Sequence, residues 1–239
     1  MNYLPRTVYE AEHEEFRRTF RHWLDSAVVP NHEQWEHDGI VPRSAWEDAG
    51  ARGFLGLSVP ETYGGGGTDD FRFAAVMSEE IGMTGVVGGG HGFTVHNDIV
   101  LPYLLSLAND DQKQRWLPGM VSGKLIGALA ITEPNTGSDM GGIKTTAIRD
   151  GDEYVINGQK MWTSLAGGAD YCWLAVRTDP EAKKHKGISV IVVPMDTPGI
   201  TIQPLRLMGE HDINATYFDD VRVPAKYLIG EENGGWGLI

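Results

Sequence analysis

The spacing of apolar residues changes near residue 124, and this change constrains the fold more than any other feature. Before it, apolar residues such as Phe16, Phe20 and Trp23 recur at helical intervals. After it, short runs rich in Val, Ile and Thr follow one another at the intervals typical of antiparallel strands. We therefore expect an α+β protein, with an all-helical N-terminal domain over residues 1–123 and an antiparallel β-barrel or β-sandwich domain over residues 124–224.

Capping residues, glycines and prolines predict where the helices begin and end. Thr7 and Glu10 form a possible capping box, and Pro30 is expected to stop the first helix. The segment 88–92 is expected to be a loose, glycine-rich connection. Further helices are predicted over 42–50, 68–82, 94–107 and 110–118, the last stopped by Pro118.

Turn signals divide the second half into strands. Asp150-Gly151 predicts a hairpin, and Asn157-Gly158 predicts a second one before the run from Lys160 to Ser164. Further strands are predicted over 171–177, 188–194, 200–205 and 216–223.

Charge and composition exclude several classes of function. The net charge of −13 argues against a nucleic-acid partner, because phosphate contacts need a basic surface. An anionic small ligand stays possible, since it needs only a local basic patch. We expect no membrane span, and the single cysteine, Cys172, is expected to be a packed thiol in a cytoplasmic protein.

Several apparent motifs lack the spacing that their chemistry requires. The glycine run 64–67 does not continue as G-x-G-x-x-G, so a nicotinamide-binding Rossmann site is excluded. His32 and His37, like His91 and His96, lie five residues apart, which does not place them on one helix face for a metal. Neither a phosphate-binding P-loop nor a G-x-S-x-G motif is present, and we expect no metal site.

Two predicted strands end in hydroxyl-bearing residues. The apolar run 125–131 leads into the loop 132–139, and the second strand ends at Trp162, Thr163 and Ser164. Backbone N–H groups, hydroxyls and small residues at such ends can receive a flat ligand with a polar edge. Two simpler interpretations stay open, namely a polar turn after an ordinary strand and a tryptophan that belongs to the core.

Together these two segments resemble the acyl-CoA dehydrogenase family of flavoproteins. The family's T-E-P-x-x-G-S-D loop reads here as residues 132–139, and its N-G-x-K-x-W motif reads as residues 157–162, with Ser164 at the hydroxyl position. The resemblance extends over essentially all 239 residues and implies FAD as the cofactor.

The resemblance also assigns roles to individual residues. Thr132 would contact the pyrimidine edge of the flavin, Trp162 would cover the ring, and the Ser164 hydroxyl, often a threonine in the family, would approach N5. Gly137 would allow a close backbone approach, and Ser138 would contact the bound thioester substrate. The full set expected to bind the cofactor is Leu129, Ala130, Ile131, Thr132, Gly137, Ser138, Trp162, Thr163 and Ser164.

The reaction implied is the oxidation of an acyl-CoA to its trans-2-enoyl thioester, with an electron-transfer flavoprotein as electron acceptor. In the family, a glutamate of a C-terminal helical domain removes the α-proton, and that domain also builds a tetramer or a dimer. Residues 225–239 would be its start, so the catalytic base is not identified, and Glu133 is not assigned that role. We therefore expect the 239-residue chain alone to be inactive.

Two alternatives stay open at this point. One is another enzyme on the same fold, an acyl-CoA oxidase or a flavin monooxygenase. The other is a non-catalytic module that binds flavin or acyl-CoA.

Overall fold

The first half of the chain is helical. The computed structural model describes residues 7–207 and 213–239. The α-helices are α1 (Ala11–Trp23), α2 (His32–Asp38), α3 (Arg43–Ala51), α4 (Arg72–Thr84), α5 (Val87–Val95), α6 (Leu101–Leu107) and α7 (Asp110–Val121). Across the described part of the chain, each helix is too short or too polar to span a bilayer.

The first helix differs from its prediction at both ends. Its N-cap is Glu10, and the capping box pairs Glu10 with His13, so the assignment to Thr7 was wrong. Pro30 does not stop the helical run, which continues through a π-turn and a 3₁₀ turn into α2. Proline is tolerated there because it lies in the first turn of a helical segment, where its missing N–H has no partner to lose.

Two further boundaries were predicted wrongly. The glycine run near Gly90 lies inside α5. There, a Cβ at Gly90 would come within 2.7 Å of Ile81 on α4. The glycines thus permit close packing of two helices rather than a loop. Helix α7 continues past Pro118 to Val121. Helix α3 forms close to its predicted bounds, and α6 ends at Leu107 as predicted. Helix α5 begins at Val87, earlier than the predicted start at Thr94, and α4 begins at Arg72, later than predicted.

The second half forms an eight-stranded sheet, mostly antiparallel as predicted. The order of hydrogen-bonded strands is β6-β7-β3-β2-β4-β5-β8, and β1 pairs with β4. The strands are β1 (Gly127–Ala130), β2 (Thr146–Asp150), β3 (Glu153–Ser164), β4 (Tyr171–Arg177), β5 (Ile188–Pro194), β6 (Ile200–Pro204), β7 (Ile213–Pro224) and β8 (Leu228–Ile229).

Strands β1 and β2 lie one after the other along the same edge of β4. Strand β1 pairs in parallel with Tyr171–Leu174, whereas β2 meets β4 at Arg177. The opposite edge of β4 is fully paired with β5. The loop from Ile131 to Thr145 therefore lies between the ends of β1 and β2, which also brings the end of β1 close to β3.

One predicted hairpin is absent. Asp150-Gly151 does form a turn, since Asp150 pairs with Glu153, but Asn157-Gly158 lies inside the continuous strand β3. Gly158 has a φ of 151°, and the register with β7 shifts between Ile156 and Gly158. The glycine thus marks an irregularity within a long strand, a common reason for glycine in a sheet.

One buried apolar cluster contains residues of both the helices and the sheet. Trp173, Val190 and Val192 of the sheet pack in the same buried cluster as Leu101 of α6 and Trp116 of α7. The last helix ends at Val121 and the first strand begins at Gly127. Strand β8 pairs with β5, so the segment after residue 224 contributes to the sheet. The domain limits 1–123, 124–224 and 225–239 stay predictions.

Candidate functional site

The two hydroxyl-bearing strand ends lie side by side. The backbone N–H of Met161 donates to the carbonyl oxygen of Thr132 over 2.8 Å. This bond joins the loop that follows β1 to the last residues of β3, although β1 and β3 are not neighbours along the main path of the sheet. Thr132, Trp162 and Ser164 therefore belong to one local structure.

A β-bulge turns Trp162 outward. Lys160 pairs with Thr216 and Thr163 pairs with Asn214, so that two residues of β3 face one residue of β7. Trp162 has a φ of 62° and its side chain is 55% exposed. An apolar ring of this size held away from the core argues against the interpretation of Trp162 as a core residue.

The hydroxyl groups near Trp162 fall into two classes. Thr132 and Ser164 are half-buried, and their side chains make no hydrogen bond to another residue of the described ranges. Thr163 is fully buried, its hydroxyl has no partner within the described chain, and its carbonyl accepts from Asn214. The Thr163 side chain thus does not share the exposed side of the bulge.

The loop after Thr132 begins with a tight turn. Glu133 and Thr136 exchange backbone hydrogen bonds of 2.9 and 3.0 Å. Gly137 and Ser138 follow on the exposed surface, and a Cβ at Gly137 would meet nothing within 4 Å. This part of the loop is therefore open to a ligand. Before it, Leu129 and Ile131 are half-buried and Ala130 is buried.

Arg177 holds the far end of this loop. Its guanidinium donates to the carbonyl oxygens of Ile143 (2.8 Å) and Gly141 (2.9 Å) from the loop, and to those of Lys184 (2.9 Å) and Lys186 (3.0 Å) from the β4–β5 connection. Arg177 is 9% exposed, so these charge-assisted bonds are largely shielded from water. Sequence reasoning missed this residue because its role depends on contacts between distant segments.

The chemistry of the exposed groups fits an isoalloxazine ring. Such a ring has an apolar edge, which matches the Trp162 indole, and a polar edge of acceptors with one N–H donor, which matches hydroxyls and backbone amides. Thr132 and Ser164 supply hydroxyls that are not committed to other described residues. The site is therefore able to hold a flavin.

His96 and Cys172 are both fully buried in the core, and Cys172 is a free thiol. Burial raises the pKa of Cys172 to about 12, as expected of a packed cysteine.

Glu10, Glu12 and His13 offer ligand atoms within 4.8 Å of one another. Both ring nitrogens of His13 are already within hydrogen-bond distance of Glu10 N and Asp70, so this group is not a ready cation site.

Comparisons with known proteins agree with this arrangement. The model of the acyl-CoA dehydrogenase N-terminal domain matches residues 10–124, and that of the middle domain matches residues 128–221. Acyl-CoA dehydrogenase FadE26 of Mycobacterium tuberculosis is 39% identical over 98% of this chain. The chain spans 60% of the length of that relative.

Solved structures show the same fold. The crystal structure of an acyl-CoA dehydrogenase from Geobacillus kaustophilus is 41% identical, with a TM-score of 0.91 over 98% of this chain and 62% of that one. A glutaryl-CoA dehydrogenase from Mycobacterium smegmatis in complex with FADH2 is 27% identical, with a TM-score of 0.83 over 95% of this chain and 58% of that one. The chain therefore belongs to the acyl-CoA dehydrogenase family.

Proposed function

We propose that this chain is the N-terminal and middle part of an FAD-dependent acyl-CoA dehydrogenase that oxidises an acyl-CoA thioester to its trans-2-enoyl thioester. The membership of the family supports the class of reaction. Because the chain spans 60% of the length of its relative FadE26, the activity is a proposal for the whole protein. The catalytic base is not assigned to a residue of this chain.

The observation that carries the proposal is the 2.8 Å hydrogen bond that joins Thr132 to Met161, next to the outward-turned Trp162. In the proposed site, Trp162 packs against the flavin ring, and the hydroxyls of Thr132 and Ser164 donate to its polar edge. Fixed donors at the edge where charge develops favour the reduced form. Bound FAD would supply the hydride acceptor for the β-hydrogen of the thioester. The structure of a relative with FADH2 supports this choice of cofactor.

Substrate and partner assignments follow from the family. We propose that Ser138 contacts the thioester substrate, because it lies exposed in the loop beside Gly137. An electron-transfer flavoprotein is the proposed electron acceptor. A tetramer or a dimer is the proposed assembly, and the cytoplasm is the proposed compartment.

The test is an anaerobic titration of the protein loaded with FAD. Acyl-CoAs of several chain lengths are added, and bleaching of the flavin absorbance is followed together with formation of the enoyl-CoA. Both signals are expected from the whole protein, and neither from residues 1–239 alone. Flavin binding without bleaching in the whole protein would instead favour a binding module, and rapid turnover with oxygen would favour an oxidase. Failure to bind FAD would contradict the proposal as a whole.

A further inference from the structure

A buried ion pair lies directly behind the two joined strand ends. The Lys160 side chain is 0% exposed and that of Glu133 is 7% exposed, with 2.8 Å between Nζ and Oε1. The Lys160 ammonium group also donates to the carbonyl oxygen of Ile131 over 3.0 Å. One lysine of β3 is thus bound to the residues on both sides of Thr132.

The Glu133 carboxylate is bonded further. Its oxygens accept from the backbone N–H groups of Lys144 (2.8 Å) and Thr145 (2.9 Å), at the other end of the loop. Burial alone would raise the pKa of Glu133, but the attraction of Lys160 and these hydrogen bonds outweigh it and hold the pKa below its usual value. The carboxylate is therefore ionised, and the pair joins β3 to both ends of the loop.

The ion pair also lies at the base of the bulge. Lys160 is the last residue of β3 in regular register with β7 before the shift that turns Trp162 outward. Its side chain points inward, whereas that of Trp162 is exposed. Met161, between them, carries the N–H that binds Thr132. Lys160 and Glu133 therefore lie on the buried side of the contact between the Trp162 bulge and Thr132.

A gain in folding stability does not by itself explain why such an ion pair is buried here. Removing two charges from water costs much of what their attraction returns, so an apolar pair of similar volume is often as stable. We propose that Lys160 and Glu133 are positioning residues, which set the distance between Thr132 and the Trp162 bulge so that both face one ligand. This inference rests on the proposed binding of flavin, but neither residue needs to touch the flavin.

The experiment compares Lys160→Met, Glu133→Gln and the double variant Lys160→Met/Glu133→Gln in the whole protein reconstituted with FAD. Each single variant leaves a buried polar group without its partner and is expected to lower the melting temperature. The double variant removes both charges and is expected to recover part of that loss. The affinity of the double variant for FAD is nevertheless expected to fall by about 10-fold or more, as happens when other residues that orient direct ligand contacts are replaced. The visible spectrum of the bound flavin is also expected to change.

The matched control is Arg222→Met, which removes two exposed ion pairs, with Asp150 and with Glu153, at the other end of β7. It should leave the FAD affinity and spectrum unchanged. A folded double variant with the FAD affinity and spectrum of the unmodified protein would overturn the proposal. Glu133→Asp serves if the double variant does not fold, because it keeps the charge and only moves it. Unchanged FAD affinity and spectrum in a folded Glu133→Asp would likewise overturn the proposal. If the unmodified protein binds no FAD, the proposed function fails first.

Discussion

Trp162 has a backbone conformation that is rare for a bulky side chain, with φ at 62°. Such a conformation costs free energy and persists only where the surrounding structure enforces it. Here the enforcing contacts are the sheet pairing of Lys160 and Thr163 on either side of it and the bond from Met161 to Thr132. The motif around Trp162 indicated a role in the candidate site, but no residue pattern predicted the bulge that exposes its side chain.

Replacing the indole should weaken flavin binding. Trp162→Ala is expected to reduce the binding free energy of FAD by roughly 1–3 kcal/mol, because the apolar area that the indole and the ring bury together is lost. The measurement is the dissociation constant of FAD by fluorescence titration. Phe71→Ala is the control, since Phe71 is 71% exposed at the start of α4, in the helical half of the chain. Equal FAD affinity in the Trp162 and Phe71 variants would show that Trp162 is not part of the flavin site.

His96 makes the stability depend on pH. Burial lowers its pKa from 6.5 to about 4, although the hydrogen bond with the carbonyl of Met120 favours the proton. The unfolded chain therefore binds a proton below about pH 6.5, whereas the folded protein binds one only below about pH 4. Stability is fully present above pH 6.5 and should fall by about 3 kcal/mol as the pH decreases through this window of about 2.5 units.

Urea unfolding at pH 7, 5.5 and 4.5 measures this loss, with His96→Gln as the comparison because other groups also titrate. Glutamine can bond to Met120 but carries no titrating group. The difference in stability between the two proteins should shift in favour of the variant as the pH falls. A difference that does not change with pH would contradict the role of His96.

At the scale of elements, β3 shows how a glycine can be misread. The Asn157-Gly158 pair is a strong turn signal, but Gly158 lies within a strand. Glycine is needed there because Thr145 crosses close by, and a Cβ would come within 2.6 Å of Thr145 Cα. Local sequence could not distinguish a turn from this close approach. By contrast, β4 and β5 formed at their predicted bounds, because continuous apolar runs are read from local sequence alone.

Gly158→Ala should therefore destabilise the sheet by roughly 2–4 kcal/mol, through both the collision with Thr145 and the unfavourable φ. Gly151→Ala is the control for the backbone term, since Gly151 has a φ of 63° but nothing within 4 Å of its Cβ position. That variant should lose only roughly 1–2 kcal/mol. Chemical denaturation of both proteins gives the comparison, and equal losses would mean that the approach of Thr145 is unimportant.

At the scale of the whole molecule, motifs selected two segments that the structure places side by side, but they did not reveal the contacts that support these segments. Thr132, Trp162 and Ser164 were found from motifs, and the structure brings their segments together. The supports come from residues far apart in the chain, such as Arg177, which binds both Gly141 and Lys184. Contacts of this kind follow from the placement of β1 and β2 along one edge of β4, which no local pattern determines.

Because one buried cluster contains residues of both the helices and the sheet, we expect the two halves of the chain to unfold together. Leu101 of α6 is fully buried in the cluster that contains Trp173 of β4 and Val190 of β5. Leu101→Ala should lower the free energy of unfolding by about 2–5 kcal/mol, because it leaves a cavity on the helical side of this cluster. Amide hydrogen exchange should show the same loss of protection in α6 and in β4 and β5. If only the helices lose protection, the two halves unfold separately, and the shared cluster does not couple them.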